Sequence, residues 1–299
     1  YNHAAGPVPD GVQKIYSRSG FIHPVCSPAG GVVTDVFPPD HLHQAGVFLA
    51  WTKTTFRGKK IDFWNIHKGT GRVRTAKLLS DTTGPVYTGF RVAHEHVDVT
   101  DSKGAKPQAG TVVLRETWDV RIWNVGGPTQ GYWLWEITSV QRCATNDPLV
   151  LPKYFYGGMA FRGARGWDGE KVQFLTSEGK TRTDGNETRA RWCDASGPVR
   201  TKDRVAGATV LCHPSNFRAP QHVRLHPKMP YFCFCPSQGG DWEIPPGKDY
   251  ISRFRYYVHD GKVEAKTAER FWADFATPPK VTIRTGTGDQ APGTREKKN

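Results

Sequence analysis

Long apolar runs are missing from this chain: nothing approaches the roughly 18 residues that a membrane-spanning helix requires, and the longest candidates are short pieces such as Val47 to Trp51. That predicts a soluble protein with no membrane span. No Cys-x-x-Cys pair occurs among Cys26, Cys143, Cys193, Cys212, Cys233 and Cys235, which excludes the metal and redox sites built on that spacing. Cys233 and Cys235 alternate within an apolar run, where a mutual disulfide is geometrically awkward, so buried free thiols are expected for most of the six. The chain also lacks a Gly-x-Ser-x-Gly elbow, a phosphate-binding glycine loop, a dinucleotide fingerprint and His-Glu-x-x-His. Serine hydrolase, kinase and dehydrogenase are thereby disfavoured. Acidic residues are the scarcer sign, 28 Asp+Glu against 41 Lys+Arg for a formal charge of +13, and this favours anionic partners. With no zinc finger, basic helix or RNA-recognition signature, the expected partner is an anionic carbohydrate and not nucleic acid.

At 299 residues, with 37% hydrophobic and 12% aromatic content, the chain can bury a sizeable core. Strand signals dominate. Thr111 to Trp123 alternates so that Leu114, Glu116, Trp118, Val120 and Ile122 share one side, Tyr132 to Arg142 alternates likewise, and the turn-rich Asn124 to Pro128 joins them as a hairpin. Further strands are expected at Val32 to Val36, Gly46 to Thr55, Val86 to Val99, Lys171 to Thr176, Thr209 to His213, Pro230 to Cys235 and Tyr250 to His259. One helix is expected over Lys262 to Phe275. The pattern predicts an all-β fold, one large antiparallel β-sandwich over residues 1–283, followed by a basic, solvated tail over 284–299.

Asp40-His41-Leu42-His43 packs two imidazoles and a carboxylate into four residues ahead of an apolar strand. Residues two apart on an extended strand share a face, so His41 and His43 are expected to enter one pocket or bind one metal ion. Imidazole titrates near neutral pH and suits general acid or base work; turn histidines beside Pro38-Pro39 are the alternative. The stretch from Tyr154 to Trp167 joins aromatics, the pair Gly157-Gly158 and the arginines Arg162 and Arg165. Glycines let a backbone approach a ligand, Tyr156 and Trp167 offer faces to a sugar ring, and Arg162 is suited to gripping a carboxylate. His213-Pro214-Ser215-Asn216-Phe217-Arg218 follows an apolar run, at a strand-to-loop position where binding residues are common.

Catalytic roles are thus expected for His41, His43, His213 and Arg162, converging on one cleft. Substrate binding is expected from Tyr156, Trp167, Asn216 and Arg218, with Trp192 and Asp194, which share a face by alternation. His94-Glu95-His96 places two more imidazoles on one side of a strand, toward the interior or toward solvent. His67, after Phe63-Trp64-Asn65, reads as structural, and Asn186-Glu187-Thr188 matches a glycosylation acceptor pattern.

Phe21-Ile22-His23-Pro24, Pro28-Ala29-Gly30-Gly31, Pro39 to Gly46, Tyr156-Gly157-Gly158, Phe161-Arg162-Gly163 and His213-Pro214-Ser215-Asn216 occur in that order. Together they resemble the PmoA-like family of bacterial domains of unknown function, over most of the chain. The methane-oxygenase activity in that family's label requires transmembrane helices, which this sequence does not have. The resemblance implies a supersandwich similar to galactose mutarotase, from bacteria that break down polysaccharides.

The leading expectation is a carbohydrate-active enzyme that cleaves a glycosidic bond in an acidic or oxidised sugar, as a lyase or a hydrolase. An Arg-stabilised enolate with a His or Tyr base suffices for elimination. Hydrolysis needs two flanking carboxylates, for which Asp40, Glu136, Glu170 and Asp194 are available. An aldose 1-epimerase and a non-catalytic carbohydrate-binding module are the alternatives. A metal version would place Ca, Mn or Zn on His41 and His43, with His213 as a further ligand. Tyr1 in place of Met suggests a processed or trimmed chain, from which a secreted or periplasmic location is inferred.

Overall fold

Alternation along the central strands builds the larger of two stacked sheets. Thr111–Gly127 and Tyr132–Cys143 pair antiparallel, with Leu114 opposite Cys143 and Ile122 opposite Trp135. Of the side chains expected on one side, Leu114, Glu116, Trp118 and Val120 are buried and Ile122 is half-buried. The computed structural model describes residues 1–102, 110–200 and 204–282; the tail expected over 284–299 lies outside them.

The large sheet has the order Gln173–Thr176, Trp192–Val199, Arg204–Cys212, Tyr250–Asp260, Tyr132–Cys143, Thr111–Gly127, Tyr87–Asp98, Gly71–Thr83. A smaller sheet has the order Val47–Ala50, Gly158–Arg162, Tyr231–Cys235, His222–Leu225, Thr188–Arg189. A third runs Trp242–Ile244, Leu149–Leu151, Thr54–Phe56, Lys59–Ile61. Trp118, Ile137, Phe254 and Val258 of the large sheet share one core with Met159, Phe161, Phe232 and Phe234 of the smaller one. Across it the Phe234 and Phe254 rings lie 5.6 Å apart. The fold is the all-β sandwich that the sequence predicts.

The helix Ala265–Ala276 packs Ala268, Phe271 and Phe275 against Leu134, Trp192, Leu211 and Tyr257, on the outer face of the large sheet. Among the described residues no helix is long and apolar enough to cross a membrane. All six cysteines are free thiols, five buried and Cys26 exposed.

Several segments depart from expectation, among them the strands Leu149–Leu151, Gly158–Arg162, Trp192–Val199, His222–Leu225 and Trp242–Ile244, which lie outside those expected, and two more departures have a clear cause. Val32 to Val36 forms isolated bridges, Cys26 with Val32, Thr34 with Gly163 and Val36 with Ala45, and no strand; Pro38 and Pro39, just beyond, have no amide hydrogen to extend a ladder. Gly71–Thr83 is an unexpected strand whose second half is exposed on both faces, so it carries no apolar alternation to read. Gly46, at φ 51°, would place a Cβ 2.1 Å from the Ile22 carbonyl oxygen. Only glycine lets the histidine loop turn directly into the edge strand Val47–Ala50.

Candidate functional site

Candidate acid–base side chains gather on the face of the smaller sheet opposite Phe161 and Phe232. Side chains alternate along a strand, so with Phe161 and Phe232 in the core, Arg162 and Tyr231 project to the opposite face, paired in register. Arg224 follows on the next strand, opposite Cys233. The loop from Phe37 to Gly46 folds over this face and delivers Asp40, His41 and His43 to it.

Arg162 is 2% exposed and donates to both carboxylate oxygens of Asp40, at 2.7 and 2.9 Å, and to Gln44 Oε1 at 3.1 Å. His41 Nδ1 lies 2.6 Å from Asp40 Oδ2. Burial pushes the Asp40 carboxyl up, but the hydrogen bonds from Arg162 and His41 outweigh it and hold the group at about 2. Asp40 is therefore ionised near neutrality, and His41 is the donor between them. That tautomer leaves His41 Nε2 as the proton acceptor of the ring.

His41 belongs to a row of four imidazoles. Ring centroids are separated by 5.3 Å from His226 to His41, 5.6 Å from His41 to His43 and 5.4 Å from His43 to His67. Tyr231 lies 5.1 Å from His226 and 6.1 Å from His41. Tyr156 continues the wall, backed by the buried Trp64 5.3 Å away, and Asn65 Nδ2 donates to the Tyr156 hydroxyl at 2.9 Å. Asp62 fixes Asn65 by accepting its backbone N–H and Nδ2, each at 2.8 Å, and also accepts from Lys68 at 2.7 Å. Tyr154 and Phe155 extend the aromatic surface, 4.9 and 5.0 Å from Tyr156. The Arg18 guanidinium anchors the loop from below by donating to the His43 carbonyl at 2.9 Å.

Two of the imidazoles are held neutral. Burial lowers His43 from the ordinary 6.5 to about 3, aided by His41, His67 and Arg18 and opposed by Asp62. Burial lowers His226 to about 4, aided by His41, Arg224 and Arg162 and opposed by Asp40. Both are depressed bases, so the stability they contribute is fully present above pH 6.5 and is lost as the pH falls toward 4 and then 3. The loss is on the order of a few kcal/mol for buried His43 and smaller for half-exposed His226. Urea midpoints measured from pH 7.5 to 4 are expected to drop more gently for His43→Asn than for the parent. Parallel profiles would show that burial of that ring costs nothing on protonation.

The residues expected from sequence divide sharply. His41, His43, Arg162 and Tyr156 come together, but Arg162 is spent on Asp40 and Gln44 and does not present a free fork to a ligand. His213 does not join them: its ring packs 4.8 Å from Phe275 of the helix, and Nδ1 bonds Ser215. Trp167 is 0% exposed, with Nε1 donating to the Pro198 carbonyl, so it cannot stack on a sugar. Asn216 is buried, bonding the Arg253 backbone through both ends of its amide. Arg218 closes on the carbonyls of Pro236, Gly240 and Asp241. Trp192 is core beneath the helix, donating to Glu269, and Asp194 is buried against Thr209 and His259. These five side chains build the fold and are withdrawn as ligand contacts.

His94 and His96 face the interior, where both bond Glu116. Asn186 Oδ1 accepts from Arg224 and from the Leu225 amide. Among the described residues no group of three or more His, Cys, Asp and Glu side chains could hold a metal ion, so a cation on His41 and His43 has no third protein ligand of that kind. Sequence reasoning passed over His226, Tyr231, Arg224 and Asn65, and read His67 as structural. For Tyr231 a signal existed, since it alternates with Phe232 and Phe234 in an expected strand; His226 has none locally.

The chain is similar to the solved α-galactosidase from Lactobacillus brevis at 10% identity and a TM-score of 0.30, over 77% of this chain and 33% of that one. It thus spans about a third of that enzyme's length, and the likeness is too slight to define fold or function. No curated protein matches. The matching family model carries no activity and no PmoA-like label, so the likeness drawn from the motifs remains one of sequence. The chain belongs to a family of unknown function, DUF6807, whose model matches residues 1–273.

Proposed function

We propose that this cleft is the catalytic centre of a carbohydrate-active enzyme that cleaves a glycosidic bond by imidazole and phenol acid–base chemistry. The observation that carries the reading is the chain of contacts from Arg162 through Asp40 to His41, set beside three further imidazoles and an aromatic wall. Asp40 orients His41 and stabilises the imidazolium formed when Nε2 takes a proton. Arg162 acts through Asp40 as a positioning residue. Tyr231, whose hydroxyl burial raises far above its ordinary range, stays protonated and serves as the donor. Tyr156 and the 38% exposed Phe155 form the sugar platform, with the buried Trp64 packed behind Tyr156.

Elimination fits better than hydrolysis. A glycoside hydrolase of the usual kind needs two carboxyl groups free to act on the bond. Asp40 is committed to Arg162 and His41, and Asp62 to Asn65 and Lys68. Glu136 is bound to Arg255, Asp194 is buried elsewhere, and Glu170 borders a different hollow, with Phe174 and Arg182.

The test is to incubate the protein and its His41→Ala variant with acidic and neutral polysaccharides, following reducing ends and the absorbance of unsaturated products. Unsaturated product that disappears in the variant is expected. Reducing ends alone would move the reading to hydrolysis, and anomer interconversion without chain shortening to an aldose epimerase. Binding untouched by His41→Ala, with no product from either protein, would leave a carbohydrate-binding module.

A further inference from the structure

Arg162 was the sequence's choice for neutralising a substrate carboxylate, and its commitment to Asp40 leaves that position open. Three arginines, Arg18, Arg162 and Arg224, and Lys68 surround the row of imidazoles, against three carboxylates, Asp40, Asp62 and, beside Arg224, Glu187. Arg18 is buried and bonded to the His43 carbonyl, and Lys68 is bonded to Asp62. Arg224 differs. It donates from Nη1 to Asn186 Oδ1 at 3.0 Å and lies 4.0 Å from the half-exposed Glu187 carboxylate, while its buried Nε has no hydrogen-bond partner.

Its guanidinium lies 5.0 Å from the Phe155 ring and hydrogen-bonds the Tyr231 hydroxyl, drawing that phenol back toward ionisation against the effect of burial. Its charge also bears on His226. Strand register accounts for this placement, since Arg224 pairs with Cys233, two residues along from Tyr231 on the same face.

We infer that Arg224 is the carboxylate seat of the cleft, so that the substrate is a uronic acid glycoside and the reaction is β-elimination. The inference rests on His41 as the base. With the carboxylate against Arg224, His41 Nε2 removes the proton from the carbon bearing it. The electron pair passes into the carboxylate as an enolate and then forms the new carbon–carbon double bond. The bond from the neighbouring carbon to the glycosidic oxygen breaks, and the leaving oxygen takes the Tyr231 proton. No water is consumed and no oxidant is needed. An ordinary neutral sugar has no carboxylate to place there and no proton acidified in this way. The field around the row, with more cations than carboxylates and neutral His43 and His226, suits a developing enolate and disfavours a cationic ligand.

The test compares binding of methyl glycosides of glucuronate, galacturonate and mannuronate with their neutral counterparts by calorimetry, for the parent and for Arg224→Met. At least one uronate is expected to bind about 10- to 100-fold more tightly than its neutral partner, from the hydrogen bonds to a charged group. Arg224→Met is expected to abolish that preference, and Arg224→Lys, which keeps the charge without the fork, to retain part of it. Equal binding of uronate and neutral sugar, absence of uronate binding, or a preference that survives in Arg224→Met would overturn the seat. Cleavage of a neutral glycan that depends on His41 would refute the uronate assignment while leaving the cleavage reading intact. A uronate preference lost in Arg224→Met, with unsaturated product unchanged in His41→Ala, would keep the seat and remove His41 as the base.

Discussion

Asp40→Asn is expected to lower turnover by about 10²- to 10⁴-fold, the range associated with losing a positioned acid–base group, without altering the aromatic wall. The carboxylate is the shared acceptor of a buried cation and an imidazole. An asparagine keeps the shape, but its amide nitrogen can donate to His41 Nδ1 and so select the tautomer whose Nε2 already carries a proton. The same change strands the Arg162 guanidinium, which is 2% exposed, as a buried charge without its counter-ion. Breaking such a pair costs about 3–5 kcal/mol, so loss of stability should accompany loss of rate. Arg162→Met separates the two effects. Asp40 keeps part of its solvent contact, with 21% of its side chain exposed, and its carboxyl rises from about 2 toward its ordinary value. The acid limb of the pH–rate profile is then expected to move upward, while at pH 7 the dyad still works. Turnover at the parent level in Asp40→Asn would dismiss the dyad as the source of activity.

Glu116→Ala is expected to cost the sandwich about 3–5 kcal/mol, read from the urea midpoint. The carboxylate is wholly buried between the sheets and accepts from Trp118 Nε1 at 2.7 Å, Ser139 Oγ at 2.5 Å, Gln141 Nε2 at 3.1 Å and His96 Nε2 at 2.9 Å, with His94 Nδ1 at 3.4 Å. Burial pushes its carboxyl up, and the bonds from His94 and His96 more than reverse this, leaving it far below the usual carboxylate range. Truncation orphans several donors in a place water reaches poorly, which is more costly than the bonds themselves are stabilising. Gln141 passes the effect on, because its Oε1 accepts from Trp51 Nε1 at 2.8 Å, and the Trp51 carbonyl holds the amides of Phe63 and Trp64 beside the cleft. Ser139→Ala, which removes one donor, should cost about 1 kcal/mol and provides the measurement if Glu116→Ala does not fold. A Glu116→Ala protein as stable as the parent would mean that the donors find other acceptors.

The large sheet was readable because period-two alternation is a local property of each strand. Asp40, His41 and His43 were readable as near neighbours in sequence, but they lie in the successive turns that close Pro38 on His41 and His41 on Gln44, the turn alternative, and not on the extended strand that alternation assumes. Arg162 was located and given the wrong task, since nothing local says that a distant carboxylate will claim it. His226, Tyr231 and Arg224 reach the row through strand register, which a single sequence does not display. Trp167 fell into the core because its indole packs over Gly197, where a Cβ would come within 2.8 Å of it. The Pro214-Ser215-Asn216 segment followed its turn chemistry, which left Asn216 to bond backbone.

In the smaller sheet, neighbours along one strand face opposite ways: Phe232 and Phe234 point toward the large sheet, while Tyr231 and Cys233, also buried, point to the other face, where Tyr231 packs beside His226 and His41. A slip of Tyr231–Cys235 by one residue would exchange the two sets, sending a phenyl ring into the cleft and the phenol inward. The cleft is thus a gauge of strand alignment. Any ligand that requires Tyr231, His41 and Arg224 at once recognises the aligned sandwich alone, and would act as a conformational clamp on the small sheet even before any bond is broken.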